Sequence, residues 1–307
     1  MVVFFEFALG LGLLFWGMRL LKLGLENAAG AGFKALLRRL TVNPVSGLLT
    51  GTVLTALIQS STAVTVFSMS FVNAGLMSFE QALGIILGSN IGSTITAQLM
   101  VFNLSTYALP ALALGGILFT VAKHNLKWLG LALMGFALVF HGISIMGESL
   151  KPLGASPQLT GFLHTLGDNH SLGIIAGMTL AGLIHSSGVT TGMVIVLASQ
   201  NMITASTGIA IVLGANVGTC FTALLAAIGA DRGAKRVAIA HLLLNTIGVL
   251  VCYPLLHPFA AVMSRLSPDL GRQVAHAHTF FNIISSLLIL PVLKPFVRLV
   301  YFLVPKE

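Results

Sequence analysis

Residues 51–99 read GTVLTALIQSSTAVTVFSMSFVNAGLMSFEQALGIILGSNIGSTITAQL, and the chain says this twice. Laid without a gap on residues 177–225, at a constant offset of 126, they are identical at 15 of 49 positions. The identities gather in two polar islands. Gln59-Ser60-Ser61-Thr62 falls on His185-Ser186-Ser187-Gly188, and Gly88-Ser89-Asn90-Ile91-Gly92-Ser93-Thr94 falls on Gly214-Ala215-Asn216-Val217-Gly218-Thr219-Cys220. Duplicated apolar runs, broken at matching places by glycine, amide and hydroxyl residues, are the signature of an internally symmetric transporter. The duplication reaches further back, because Gly10, Leu13, Phe15 and Gly17 match Gly135, Leu138, Phe140 and Gly142 at an offset of 125.

Composition agrees. The 307 residues are 56% hydrophobic and 8% charged, with a mean hydropathy of +0.97, whereas soluble domains carry about 25% charged residues. The expected class is an all-α polytopic membrane protein forming one membrane domain over residues 1–307. Repeat 1 is expected at about 2–122, repeat 2 at about 128–257 and a C-terminal helix region at 276–304. The N-terminus lacks a basic n-region and a small-residue cleavage site, so residues 1–25 read as a retained helix and not a signal peptide. The net charge of +8 lies mostly between apolar segments, which makes it topology information and argues against a nucleic-acid partner. Cys220 and Cys252 sit in apolar segments, as small buried hydrophobes do.

A span of a ~30 Å hydrocarbon core needs about 20 apolar residues. Uninterrupted candidates are 2–25, 105–122, 128–148, 237–257 and 279–303. Residues 79–101 and 205–229 are long enough but carry the Gly-x-Asn-x-Gly islands, where each helix is expected to be discontinuous. Arg19, Lys22, Lys34, Arg38 and Arg39 place the end of the first helix in the cytoplasm, and Lys123, Lys127, Arg232, Lys235 and Arg236 do the same for their loops. An even number of crossings must then separate residue 39 from residue 123, yet three apolar stretches lie between. Residues 46–74, polar at the centre, are the stretch expected to enter and leave on one face as a re-entrant hairpin; residues 172–200 repeat it. Such backbone is tolerated at membrane depth only inside protein or beside a wet cavity. The first helix runs inward and its repeat mate outward, so the two halves have inverted topology. Arg265 and Arg272 fall in an expected outside loop, against the trend.

At a hairpin tip, Gln59, Ser60, Ser61 and Thr62 offer hydroxyls, an amide and freed main-chain groups. Half-helix N-termini favour anions, while unwound carbonyls and C-terminal ends favour Na⁺. The expected binding set adds Ser89, Asn90, Ser93 and Thr94 in the first repeat, and His185, Ser186, Ser187, Asn216 and Thr219 in the second. No island contains Lys, Arg, Asp or Glu, so a bound oxyanion is expected to rest on hydroxyls and main-chain N–H groups. Isolated Ser and Thr in membrane helices often only bond backbone; their repetition in register is what points to a ligand.

These residues resemble the type II sodium–phosphate cotransporter family, whose inverted repeats each bear a Gln-Ser-Ser motif. Gln59-Ser60-Ser61-Thr62 with Gly88–Gly92 looks like the first motif pair, and Ser186-Ser187 with Gly214–Thr219 like the second. Ala240-His241 to Asn245 and Ala277-His278 to Asn282 resemble a His-x3-Asn element of that family. The resemblance covers most of the chain and is to a short bacterial form without a soluble regulatory extension. It implies a secondary active transporter, not an enzyme, moving inorganic phosphate coupled to sodium by alternating access. Sodium sits near the same residues, without individually assignable ligands and with no other cofactor. The implied partners are phosphate, sodium and the bilayer of the inner or plasma membrane, with a homodimer left open. The chain departs from the family at His185, where Gln is expected, and at Gly188, where a hydroxyl is expected. An ordinary imidazole titrates at about 6.5, so His185 is expected to make coupling pH-sensitive, with Na⁺ affinity falling in acid.

Other readings are weaker. His241 with Asn245, and His278 with Asn282, are i,i+4 pairs on one helix face, a pattern that more often joins helices than holds a metal. His185-Ser186 is no hydrolase, since adjacent residues rarely align nucleophile and base. Another oxyanion, phosphate export, or an anion channel through the same polar islands are the alternatives.

Overall fold

The computed structural model describes residues 2–30, 41, 43–102, 104–152 and 169–305; Lys34, Arg38 and Arg39 lie outside them. Among the described residues every regular element is helical. The stretch expected as repeat 1 holds α1 (Val2–Ala29), α2 (Pro44–Ile58), α3 (Ser61–Asn73), α4 (Phe79–Met100) and α5 (Ala108–Val121). The stretch expected as repeat 2 holds α6 (His124–Leu150), α7 (His170–Ile184), α8 (Ser187–Ser199), α9 (Ala205–Ala226) and α10 (Arg232–Cys252), followed by α11 (Leu256–Leu266), α12 (Leu270–Ile289) and α13 (Leu293–Leu303). Among the described residues five helical stretches are long and apolar enough to cross a membrane, namely α1, α4, α6, α9 and the run Arg232–Leu266, and the bent pair α12 and α13 makes a sixth if it is one span. With the family described below, they make this an integral, multi-pass membrane protein.

Glycines decide how the helices dock. A Cβ on Gly10 would meet Gly142 O at 2.8 Å, one on Gly17 would meet Gly135 O at 2.7 Å, and one on Gly24 would meet Trp128 O at 2.6 Å. Position numbers fall on one partner as they rise on the other, so α1 and α6 pack antiparallel with their backbones in contact. Small residues permit that approach where lipid offers no hydrophobic drive between helices.

The expected discontinuous helices are not there. α4 and α9 run unbroken through Gly88–Gly92 and Gly214–Gly218. Their glycines seat a neighbouring backbone instead. A Cβ on Gly88 would lie 1.9 Å from Leu48 O, and one on Gly92 would lie 2.4 Å from Thr52 O. In the second repeat Gly214 faces Ile174 O at 1.9 Å and Gly218 faces Met178 O at 2.3 Å. The partners differ by 40 in all four pairs, so α2 runs parallel to α4 and α7 runs parallel to α9. Glycine lowers helix propensity by about 1 kcal/mol, but hydrogen bonding within the helix and the close packing outweigh it.

Within the duplicated stretches 51–99 and 177–225 the polar islands that interrupt a helix are the Ser-Ser islands, not the glycine islands. α2 has 15 residues and α3 has 13, about 22 and 20 Å, short of a full crossing. Gln81 Nε2 donates to Thr41 O at 2.6 Å, tying the entry of the hairpin to the start of α4. At the exit, Asn73 Oδ1 accepts from Ala234 N at 3.1 Å.

The expected helix 279–303 is also two elements, because α12 and α13 meet at 87°. Pro291 lies in the break and has no N–H to continue the ladder. α13 buries Phe296 and Val300 and exposes Lys294 and Arg298, an arrangement suited to a membrane surface. The expected span 237–257 starts earlier, at Arg232, and continues through a 3₁₀ turn at Tyr253–Leu255 into α11.

Candidate functional site

Each hairpin turns on two residues, with the same conformations in both repeats. Gln59 (φ 58°, ψ 31°) and His185 (φ 55°, ψ 32°) are left-handed and close the first half-helix. Ser60 (φ −145°) and Ser186 (φ −152°) are extended and cap the second, their Oγ atoms accepting from Ala63 N at 3.1 Å and Val189 N at 3.2 Å. A left-handed conformation strains any side chain but glycine; here it aims the side chain at the neighbouring long helix. Gln59 Oε1 accepts from Thr96 Oγ1, and His185 Nδ1 pairs with Thr222 Oγ1 at 3.0 Å. Thr96 and Thr222 differ by the repeat offset of 126, so His185 occupies the hydrogen-bonding position that Gln59 occupies in the first repeat.

The two tips meet at one cavity of about 220 Å³. Gln59, Ser60, Ser61 and Thr62 line one wall, His185, Ser186, Ser187 and Gly188 another, and Ser93 and Thr219 of the long helices close it. Ser93 and Thr219 are repeat mates that donate to Asn90 O at 2.7 Å and Asn216 O at 2.9 Å. Ser61 and Ser187, half-buried at the first turn of α3 and α8, make no hydrogen bond among the described residues. The N–H groups of a helix's first turn lack partners within the helix. Two such N-termini therefore present donors and positive dipole ends to one space, which favours an anion.

The cavity reaches beyond the uncharged islands. Phe15, Met18, Arg19 and Lys22 of α1 also line it, and among the described lining residues none is Asp or Glu. Arg19 additionally lies 5.5 Å over the Trp16 ring. Arg19 and Lys22 read in the sequence only as topology signals. The spacing 15, 18, 19, 22 puts all four on one helix face, and that was the signal for a second role.

Four expected site residues lie elsewhere. Ser89 is buried and accepts from Thr55 Oγ1 at 3.0 Å, tying α4 to α2. Thr94 is buried and donates to Ile91 O at 2.8 Å. Asn90 Oδ1 pairs with His241 Nε2 at 3.2 Å, and Asn216 Oδ1 pairs with His278 Nε2 at 3.1 Å. The asparagines of the Gly-x-Asn-x-Gly islands thus face away from the cavity. They meet the His-x3-Asn faces of α10 and α12, where Asn245 and Asn282 donate to His241 O at 3.0 Å and His278 O at 2.8 Å. These histidines join helices, as their spacing indicated. No group of three or more His, Cys, Asp or Glu side chains gathers among the described residues.

The pattern of the Na⁺/Pi-cotransporter family matches this chain twice, over residues 13–148 and 145–266. The uncharacterized protein YqeW of Bacillus subtilis is 32% identical over 290 residues, 94% of each chain. The putative inorganic phosphate export protein YjbB of Salmonella typhimurium is 27% identical over 257 residues, 83% of this chain but 47% of its own length. Sodium-dependent phosphate transport protein 2A of the rabbit Oryctolagus cuniculus is 46% identical over 54 residues, 18% of this chain and 8% of its own. No solved structure matches.

Proposed function

Because the chain belongs to the Na⁺/Pi-cotransporter family, whose members are transporters and not enzymes, we propose that it carries inorganic phosphate across the cell membrane by alternating access, coupled to sodium. The observation that carries this reading is the cavity shared by the two tips, with Arg19 and Lys22 beside it and no carboxylate among its described lining residues. Two helix N-termini and two cations suit a dianionic oxyanion. Ser61 and Ser187 supply hydroxyl donors, and Arg19 supplies a planar pair of donors matched to phosphate oxygens. Sodium is expected at the C-terminal ends of α2 and α7, where carbonyls of the last turn face the tips.

Inverted repeats explain the α1–α6 interface. Gly10 touches Gly142 while their repeat mates, Gly135 and Gly17, touch each other, which is the self-complementary contact a two-fold axis produces. In this orientation Lys123–Lys127 and Arg232–Arg236 face the cytoplasm. A cysteine at position 125 is labelled by impermeant reagents only from inside, and one at 158 only from outside; the reverse pattern inverts the orientation.

Arg19→Gln and Lys22→Gln test the substrate assignment. Each raises the phosphate KM at least ten-fold while protein yield holds. An unchanged KM in both removes the cationic wall from the site. YjbB is named for export, so efflux is measured alongside uptake.

A further inference from the structure

A second cavity, of about 630 Å³, lies beyond the tips toward the ends of α4, α6 and α8 and the start of α12. Its α6 wall is the repeat mate of the α1 wall of the tip cavity. Adding 125 to Phe15, Met18, Arg19 and Lys22 gives Phe140, Ile143, Ser144 and Gly147, and all four line the second cavity. Matching faces of two repeat-mate helices, α1 and α6, are thus each used to line a cavity. Glu148, Ser199, Asp269 and Arg272 line the second cavity as well.

The two cavities are stacked along α8 and α4. On α8, Gly188 and Val189 line the tip cavity, while Ile195, Val196 and Ser199 line the second. Val189 to Ile195 spans six residues, about 9 Å of helix. On α4, Thr96 lines the first and Met100, one turn on, lines the second. Between them sits Gly192. A Cβ there would lie 3.0 Å from Met100 Sδ and 3.2 Å from Leu14 Cδ2. Leu14 and Met100 are 0% and 3% exposed, so the layer is packed and apolar.

We infer that Leu14, Met100 and Gly192 form the outer gate of the transport path, closed in this structure, and that the cavity lined by Ser144, Ser199 and Arg272 is the outer vestibule of the same path. This rests on the carrier reading above and adds to it where the path is shut. An apolar layer one to two turns thick excludes a hydrated dianion, and it is thin enough to open if α1 separates from α8 and α4. The methionine is flexible and fills irregular gaps. Gly192 lets α8 lie close to both partners; its counterpart in the first repeat is Val66, so the layer belongs to one side alone. The vestibules also differ in charge, since Arg19 and Lys22 are replaced by Ser144 and Gly147 and the second cavity carries Glu148 and Asp269 beside Arg272. The inner side therefore holds the anion more firmly while the outer gate is closed.

The test uses the full chain in proteoliposomes with Met100→Cys and Gly192→Cys introduced together and bridged by a short bifunctional thiosulfonate. Each single variant controls for Cys220 and Cys252. Bridging lowers phosphate flux at least ten-fold, reductant restores it, and equilibrium phosphate binding stays within two-fold of the unbridged protein. Undiminished flux after complete bridging overturns the gate, and so does loss of binding together with flux, which places the bridge's effect in the site. A parent protein that neither binds nor moves phosphate fails the carrier reading instead. Met100→Ala gives an independent measure should the pair fail to fold. It raises phosphate leak down its own gradient, without sodium, several-fold; a leak equal to the parent's overturns the gate.

Discussion

Gly88→Val and Gly214→Val each abolish transport. A Cβ at either position would stand 1.9 Å from a backbone carbonyl, Leu48 O in one repeat and Ile174 O in the other. Backbone oxygens inside a helix cannot yield as a side-chain tip does, so α2 or α7 must lift off its long helix. The loss is about 3 kcal/mol or more, at or beyond the upper end of ordinary overpacking, and it moves a hairpin tip away from the cavity. Gly116→Val is the control, because nothing lies within 4 Å of its Cβ position. Thermal stability in detergent and flux in vesicles read the two consequences separately. Parent-like stability in Gly88→Val shows the α2–α4 contact to be looser than described.

Ser61→Ala and Ser187→Ala fold normally and transport poorly. Neither hydroxyl makes a hydrogen bond among the described residues, so removing it leaves no stranded partner. Each faces the tip cavity, where a hydrogen bond to a charged ligand contributes about 1.5–3 kcal/mol. Phosphate affinity should fall roughly 10- to 100-fold in either variant at 1.4 kcal/mol per ten-fold, without a change in melting temperature. Ser60→Ala and Ser186→Ala behave differently. Their hydroxyls cap α3 and α8, and losing an N-cap costs about 1 kcal/mol of stability. A Ser61→Ala variant with parent phosphate affinity removes that hydroxyl from the site.

Much of this was legible in residues 51–99 and their copy. The identity pattern located the breaks between two short helices at both Ser-Ser islands; the re-entrant course expected from the parity of basic loops is what labelling at positions 125 and 158 tests. Reading the Gly-x-Asn-x-Gly islands as breaks failed because one sequence does not tell a glycine that unwinds a helix from one that seats a neighbour. The distinction lies in Leu48 O and Ile174 O, forty residues away. The asparagines were misplaced for the same reason. Their partners His241 and His278 were noticed as helix-joining pairs, but nothing linear connects them to Asn90 and Asn216. Arg19 and Lys22 were counted for topology, a rule that uses charge and not direction. Their spacing with Phe15 and Met18 held the missing information. Pro291 was visible too, yet residues 279–303 were read as one uninterrupted helix; its missing N–H was the signal for the turn between α12 and α13.

The central claim is that the cavity between the hairpin tips moves phosphate as a sodium-coupled carrier. Purified protein in proteoliposomes, given labelled phosphate under Na⁺ and H⁺ gradients imposed separately, tests it most directly. Concentrative phosphate movement that follows the Na⁺ gradient, and is lost in Ser61→Ala/Ser187→Ala, is the expected result. Phosphate that only equilibrates across the membrane, whatever the Na⁺ gradient, would contradict the account and leave a channel in its place.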